Sequence, residues 1–401
     1  MTTSVAGQCD PRFAQLREEF ERNFSERGES GASVCLSVNG EPLVDLWGGL
    51  ADRDAGTPWT QDTVSIVFSC TKGTTALCAH LLIDRGELAL DAPVTDYWPE
   101  FGAHGKDGVT VAMMLNHESG LPALREPVKE NGFLDWEYMV ERLAGEAPFW
   151  EPGTRNVYHM VTFGWTVGEL VRRVSGQSLG SFFRNEIAEP LGSDFWIGIP
   201  EEFSLPIAPI LPYEPPADEA LTEFATALVT DPASAQALSL LNVGGWWPND
   251  PATHRAQIGG GGGIGNARAL SRMYAPLARN DGSLVSRERV AHMSSVTTAS
   301  QRDFTLLIPS RFGPGFMKSM DNRGIQPASN RQSVIMGSQA FGHVGAGGSI
   351  GFADPECGLA FGYTMSQMGS GVLLNERGQR LVDAAYRALG YRTDAPGAWI
   401  K

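Results

Sequence analysis

The 401-residue chain has no run approaching the eighteen or so consecutive apolar residues that cross a bilayer. Its start, Met1-Thr-Thr-Ser-Val-Ala-Gly-Gln-Cys-Asp, lacks the basic and apolar regions of a secretory leader. Both absences point to a cytoplasmic protein with no membrane partner. Cysteine is scarce: Cys9, Cys35, Cys70, Cys78 and Cys357 are odd in number and form no Cys-x-x-Cys pair. Neither a disulfide framework nor a zinc site is expected, and these read as free, mostly buried thiols. Positive charge is also short, with 31 Lys and Arg against 46 Asp and Glu, a formal net charge of −15. Such a field repels nucleic acid, anionic lipid and, more weakly, carboxylate-bearing substrates, which leaves neutral small molecules as the favoured partners. Salt screens exposed charge over about 8 Å, so this is a bias on encounter that a local cation overrides.

What is present is a sizeable apolar fraction, 42%, enough for two or three domains or one large domain with an insertion. Phe13, Leu16, Phe20 and Phe24 recur at helical spacing over residues 11–27. Ala32–Val38 and Pro42–Gly48 are β-like runs separated by Asn39-Gly40, a strong hairpin signal. Thr63–Phe68 reads as extended, and from Thr71 a buried helix runs to Ile83 and stops at Asp84-Arg85-Gly86. Between about Asp91 and Ser294 the pattern predicts helices over Val111–Asn116, Leu134–Leu143, Val161–Val174, Phe182–Ile187, Glu219–Val229 and Ala267–Leu277, with a surface loop at Pro206–Pro216. Val334–Met336, Ser349–Ala353 and Leu359–Met365 look like strands, and Asn375–Leu389 like a closing helix. Sheet-forming sequence thus occupies both ends and helical sequence the middle. The reading is an α/β fold: a discontinuous domain from 1–85 and 290–401, and a mainly helical insertion over 86–289.

Chemistry concentrates in three places. Ser69-Cys70-Thr71-Lys72 sits where extended sequence becomes helix, so Ser69 and Lys72 share a face beside backbone N–H groups that favour developing negative charge. Ser-x-x-Lys alone is weak, since roughly one chain in three of this composition shows it by chance. Pro152-Gly153-Thr154-Arg155-Asn156-Val157-Tyr158 turns into a helix behind a tyrosine. A phenol needs about 4 kcal/mol to become a ready base at neutral pH, the worth of one cation about 4 Å away, and Lys72 is the candidate. A tyrosine packed in a hydrogen-bonded core is the bland alternative. Gly342-His343-Val344-Gly345-Ala346-Gly347-Gly348-Ser349, before a strand, lets backbone approach a ligand and offers a second oxyanion donor, or is simply a β-bulge or tight turn.

In this order the three pieces resemble the serine β-lactamase and DD-peptidase superfamily, and most closely the family VIII carboxylesterases related to class C β-lactamases. The likeness extends to Leu90-Asp91-Ala-Pro-Val, Leu115-Asn-His-Glu-Ser-Gly-Leu121, Glu189-Pro-Leu-Gly192, Gly263-Ile-Gly-Asn-Ala-Arg268 and Phe352-Ala-Asp-Pro355. It implies a mainly antiparallel sheet flanked by helices, with a helical domain over the cleft. It also implies that Ser69 is the acylated nucleophile, Lys72 its cationic partner and Tyr158 the general base and then acid, with the N–H groups of Ser69 and Ala346 as the oxyanion hole and no cofactor or metal. The chain departs from the lactamases where His343-Val344-Gly345 replaces a motif beginning with lysine and Met160 replaces the asparagine of Tyr-x-Asn. These four positions are the candidate substrate-binding residues, and losing a fixed charge and an amide favours a neutral, more apolar, short-acyl ester. β-Lactam or amide hydrolysis, acyl transfer and a catalytically silent binding protein are the rivals. The sequence leaves the natural ester and the oligomeric state open.

Other features read as structural. Gly176-Gln177-Ser178-Leu179-Gly180 matches a Gly-x-Ser-x-Gly elbow but follows a helix instead of a strand. His117 and His159 read as core or supporting histidines, and Cys70 as a small buried side chain. Gly259–Gly263 lacks the ending of a phosphate loop and is expected as a flexible loop near the cleft. Trp150, Trp246 and Trp247 are candidates for a pocket wall, though tryptophan is more often core.

Overall fold

A computed structural model describes residues 4–401; Met1–Thr3, the beginning of the segment read above for a leader, lie outside the described residues. The strands are β1 (Val5–Cys9), β2 (Gly31–Val38), β3 (Glu41–Asp52), β4 (Thr57–Pro58), β5 (Val64–Ile66), β6 (Phe195–Ile197), β7 (Ile207–Ala208), β8 (Gly263–Gly265), β9 (Thr298–Ser300), β10 (Ser310–Gly313), β11 (Phe316–Met317), β12 (Phe341–Val344), β13 (Ile350–Asp354) and β14 (Leu359–Met365). The helices are α1 (Ala14–Glu26), α2 (Cys70–Asp84), α3 (Val111–Leu115), α4 (Trp136–Gly145), α5 (Phe163–Ser175), α6 (Leu179–Phe183), α7 (Glu223–Thr230), α8 (Ala235–Leu240), α9 (Pro251–Arg255), α10 (Ala267–Arg279), α11 (Arg287–Met293) and α12 (Glu376–Ala388).

The large sheet runs β1-β3-β2-β14-β13-β12-β11-β10-β9, with β4 attached to β3, and its pairings are antiparallel. Asn39 and Gly40 have φ of 52° and 84°, the left-handed pair that a tight hairpin demands, and Val38 pairs with Glu41 across them. β14 then lies along β2 from Leu359↔Val38 to Met365↔Ala32. The two ends of the chain therefore close one sheet, as their sequence predicts.

Side chains leave a strand on alternate faces, and here both faces are covered. Leu359, Phe361 and Tyr363 pack with Leu16 and Phe20 of α1 and with Phe13, its N-cap, and with Leu381 and Val382 of α12. Ala360 and Ala353 face Leu270 and Met273 of α10 in a second core that continues through α2 into α4 and α5. A smaller sheet, β6-β8-β5-β7, delivers the chain into α2. No helix among the described residues is long and apolar enough to cross a membrane.

The differences from expectation are local. Val334–Met336 forms no strand: Val334 makes an isolated bridge to Met320, and the three side chains are buried without a ladder. The short strands β9 to β12 were not anticipated, because two to four residues carry no readable alternation. The helix expected over 182–187 is α6 followed by one π turn, Arg184–Ala188. The helix expected from Glu219 starts at Glu223 because the Thr222 side chain caps it, accepting from the Ala225 N–H. Near the start of the expected 206–216 loop, Ile207–Ala208 form β7, paired with β5. Within 86–289, α10 packs on β2, β13 and β14, and β6, β7 and β8 are strands.

Candidate active site

Ser69 is the N-cap of α2. Phe68 just before it has φ of 45°, a conformation costly for a bulky residue, of the kind that clusters at functional sites. The turn is locked from both sides: the Thr71 hydroxyl donates to the Phe68 carbonyl at 2.5 Å and accepts from the Gly263 N–H at 2.8 Å. Ser69 itself is half-buried.

One helical turn on, Lys72 is wholly buried. Its Nζ lies 2.8 Å from Ser69 Oγ, 2.5 Å from the Met160 carbonyl and 2.6 Å from the Gly260 carbonyl. It also sits over the Tyr158 ring, 4.9 Å from the centroid. Burial pushes Lys72 well below its ordinary pKa. Burial also pushes the Tyr158 phenol above its ordinary value, and the Ser69 side chain beside it only partly offsets this. Burial thus disfavours both the ammonium and the phenolate, which works against the expected effect of an ammonium drawing the phenol down. Two N–H groups of a neutral amine fill the two carbonyls, and its lone pair is left for the Ser69 hydroxyl.

Tyr158 is held by its neighbours. Its ring stacks on Phe312 at 5.7 Å and 11°, with His117 and His343 at 5.1 and 5.9 Å. Its backbone N–H donates to Asp303 Oδ2 at 3.0 Å.

The glycine-rich segment is the end of β12 and the turn into β13, where an entrance ahead of a strand was expected. β11 pairs with β12 only at Gly342, so the rest of that β12 edge has no β11 partner. A Cβ on Gly345 would stand 2.2 Å from the Val67 carbonyl oxygen, so only glycine lets this turn lie against the start of α2. Among the described residues the backbone N–H groups of Ser69 and Ala346 have no backbone partner. The His343 and Val344 side chains are buried. His343 Nδ1 donates to the Val344 carbonyl at 2.7 Å, and burial pushes the ring down to about 3, so it is neutral. Met160 acts through its carbonyl, while its side chain joins Tyr158 and Val344 in the core.

An apolar surface adjoins the serine: Phe68, Ile66 and Ile210 pack with half-buried Ala346, Met368 and Trp246. Trp150 meets Phe304 edge-on at 5.6 Å, and Trp247 is 52% exposed.

Ser178, His159, His117 and Cys70 each sit in a structural setting. Ser178 caps α6, accepting from the Ser181 N–H at 3.3 Å and the Gln257 amide at 3.0 Å. His159 donates to the Val157 carbonyl and accepts from Ser119 and the Leu121 N–H, and His117 accepts from the His159 N–H. Cys70 is a thiol pushed up to about 12 by burial. The 259–263 segment is a correction: it is fully buried, not a flexible loop. Its glycines permit backbone contact with α5, since a Cβ on Gly164 would stand 2.1 Å from the Gly260 nitrogen.

The fold and this geometry define a serine hydrolase of β-lactamase architecture. The Beta-lactamase family model matches residues 17–386, and the chain belongs to that family. It is 35% identical over 386 residues to Esterase/beta-lactamase LipL of Mycobacterium tuberculosis, covering 93% of this chain and 85% of that one. Among solved structures it resembles a family VIII carboxylesterase, with 36% identity, a TM-score of 0.83, and coverage of 96% of this chain and 100% of that chain. It also resembles EstA from Arthrobacter nitroguajacolicus Rue61a, with 29% identity, a TM-score of 0.82, and coverage of 97% and 99%.

Proposed function

We propose that the protein is a serine carboxylesterase that hydrolyses small, neutral, short-acyl esters through an acyl-enzyme on Ser69. The observation that carries this is Lys72 Nζ, buried, 2.8 Å from Ser69 Oγ and tied to two carbonyls. In this reading the Lys72 amine takes the Ser69 proton as Oγ adds to the ester carbonyl. Charge collects on the carbonyl oxygen, faced by the N–H groups of Ser69 and Ala346. Tyr158 protonates the departing alkoxide and is reprotonated from Lys72, which leaves acyl-Ser69 and a neutral pair. Water then attacks the acyl carbon, gives its proton to the same pair, and Ser69 recovers its own.

Ester preference is supported by the neutral His343, the absence of a lysine at that position, the apolar surface of Phe68, Ala346, Met368 and Trp246, and the net charge of −15. The esterase names of the relatives agree. We also propose residues 86–289 as an insertion that supplies the tyrosine and one wall of the cleft. β-Lactam opening is the second reading, favoured by the double name of the Mycobacterium relative.

Initial rates on p-nitrophenyl acetate, p-nitrophenyl octanoate and nitrocefin separate the two. Acetate turnover well above nitrocefin turnover is expected, abolished in Ser69→Ala and retained in Ser178→Ala. Efficient nitrocefin hydrolysis with slow ester turnover would reverse the assignment.

A further inference from the structure

Asp303 has no exposed surface. It accepts four hydrogen bonds: Oδ2 from the Tyr158 N–H at 3.0 Å and the Ser310 hydroxyl at 3.3 Å, and Oδ1 from the Thr305 and Leu306 N–H groups, each at 2.9 Å. No cation pairs with it among the described residues, and burial pushes the carboxyl up to about 6. All four neighbours are donors, so the ionised form fits its surroundings. An unpaired buried carboxylate is an expensive way to fill a core. What it supplies is geometry, because its two oxygens join segments that are 145 residues apart in the chain.

The loop around Asp303 is tightly wound. The Asp303 N–H donates to the Ile308 carbonyl and the Leu307 N–H to the Asp303 carbonyl, with Leu307 at φ of 59°. From the other side, Gln236 of α8 donates to the Phe304 and Thr305 carbonyls at 2.6 and 2.9 Å. Leu306 and Ile308 anchor the loop in the core that also holds Tyr158 and Met160. The Tyr158 N–H is therefore bonded to a fixed point. Two residues further on, Met160 presents the carbonyl that holds Lys72 Nζ.

We infer that Asp303 is a positioning residue for the proposed esterase reaction, anchoring the Tyr158–Met160 segment so that the phenol and the Met160 carbonyl meet Ser69 and Lys72 in register. The inference rests on the serine reading above. It extends the site to a residue outside the three motifs, on a loop that α8 also braces.

The test is kcat and KM for p-nitrophenyl acetate, with thermal melting, in Asp303→Asn, Asp303→Ala and Ser310→Ala. A shift of about 1 Å in a catalytic segment costs about 100-fold, so Asp303→Ala is expected to lose about that in kcat, with KM within about twofold of the parent. Asp303→Asn keeps an acceptor for one side only and is expected to lose about tenfold while remaining folded. Ser310→Ala removes the weak contacts of its hydroxyl to Asp303 and Asn156 and is expected to lose less. If Asp303→Ala does not fold, the Asn variant carries the test. Unchanged kcat in Asp303→Asn, a rise in KM alone, or a loss no larger than the unfolded fraction would overturn the role. Ser69→Ala is assayed alongside: full activity there sinks the serine reading itself, whereas an inactive Ser69→Ala with a fully active Asp303→Asn sinks only the positioning role.

Discussion

In the proposed mechanism Lys72 is neutral when it takes the Ser69 proton, and burial favours that form by pushing its pKa well below the ordinary lysine value. The sign of the pH dependence follows. The rate constant kcat/KM rises as pH climbs through the lowered Lys72 pKa and then levels off. Tyr158, pushed above its ordinary value, stays a protonated acid throughout. Asp303, pushed up to about 6, steepens the acid side. A pH–rate profile with neutral esters checks this: an acid limb and an alkaline plateau are expected. A rate that falls between about pH 7 and 9 would instead require a lysine cation.

At the scale of elements, the site depends on how closely backbone segments approach. α5 and the 259–263 segment touch through Gly164 and Gly260, and Gly260 carries one of the two carbonyls that hold Lys72. Gly164→Ala places a methyl 2.1 Å from backbone and is expected to destabilise the protein by about 1–3 kcal/mol. It should also lower kcat as the Gly260 carbonyl is displaced. Thermal melting and kcat measure both, and an unchanged melting temperature with full activity would show that the contact relaxes without cost. The same contacts explain what the sequence discloses and what it hides. α5 and the β2–β3 hairpin are legible from periodicity and Asn39-Gly40, α2 from an apolar run that stops at Asp84-Arg85-Gly86, and the Ser69, Lys72 and Tyr158 positions from the motifs that carry the family resemblance. The carbonyls of Met160 and Gly260 leave none, since any residue supplies one. Asp303 is a single acid in the polar run Gln301-Arg302-Asp303, where a solvated carboxylate is the ordinary reading. The glycine run at 259–263 is a visible signal, but glycine serves loop mobility and close packing equally, and here it serves packing. The direction of the Lys72 and Tyr158 shifts depends on burial, which a motif does not report.

At the scale of the molecule, the site exists only when distant segments meet. Ser69 and Lys72 come from the start of α2, Tyr158 and Met160 from the turn before α5, Gly260 from the run into β8, and Ala346 from the β12–β13 turn. The large sheet joins the N- and C-terminal segments through β2 and β14, and α10 fixes the middle of the chain to that sheet. The net charge of −15 adds a field over the whole surface that favours neutral substrates. The most direct test of the central claim is the intact mass and peptide map of the protein, native and Tyr158→Phe, quenched during turnover of p-nitrophenyl acetate. One acyl group on the peptide containing Ser69, accumulating further in Tyr158→Phe and absent from Ser69→Ala, is the expected result. An acyl group on another residue, or ester turnover that survives in Ser69→Ala, would contradict it.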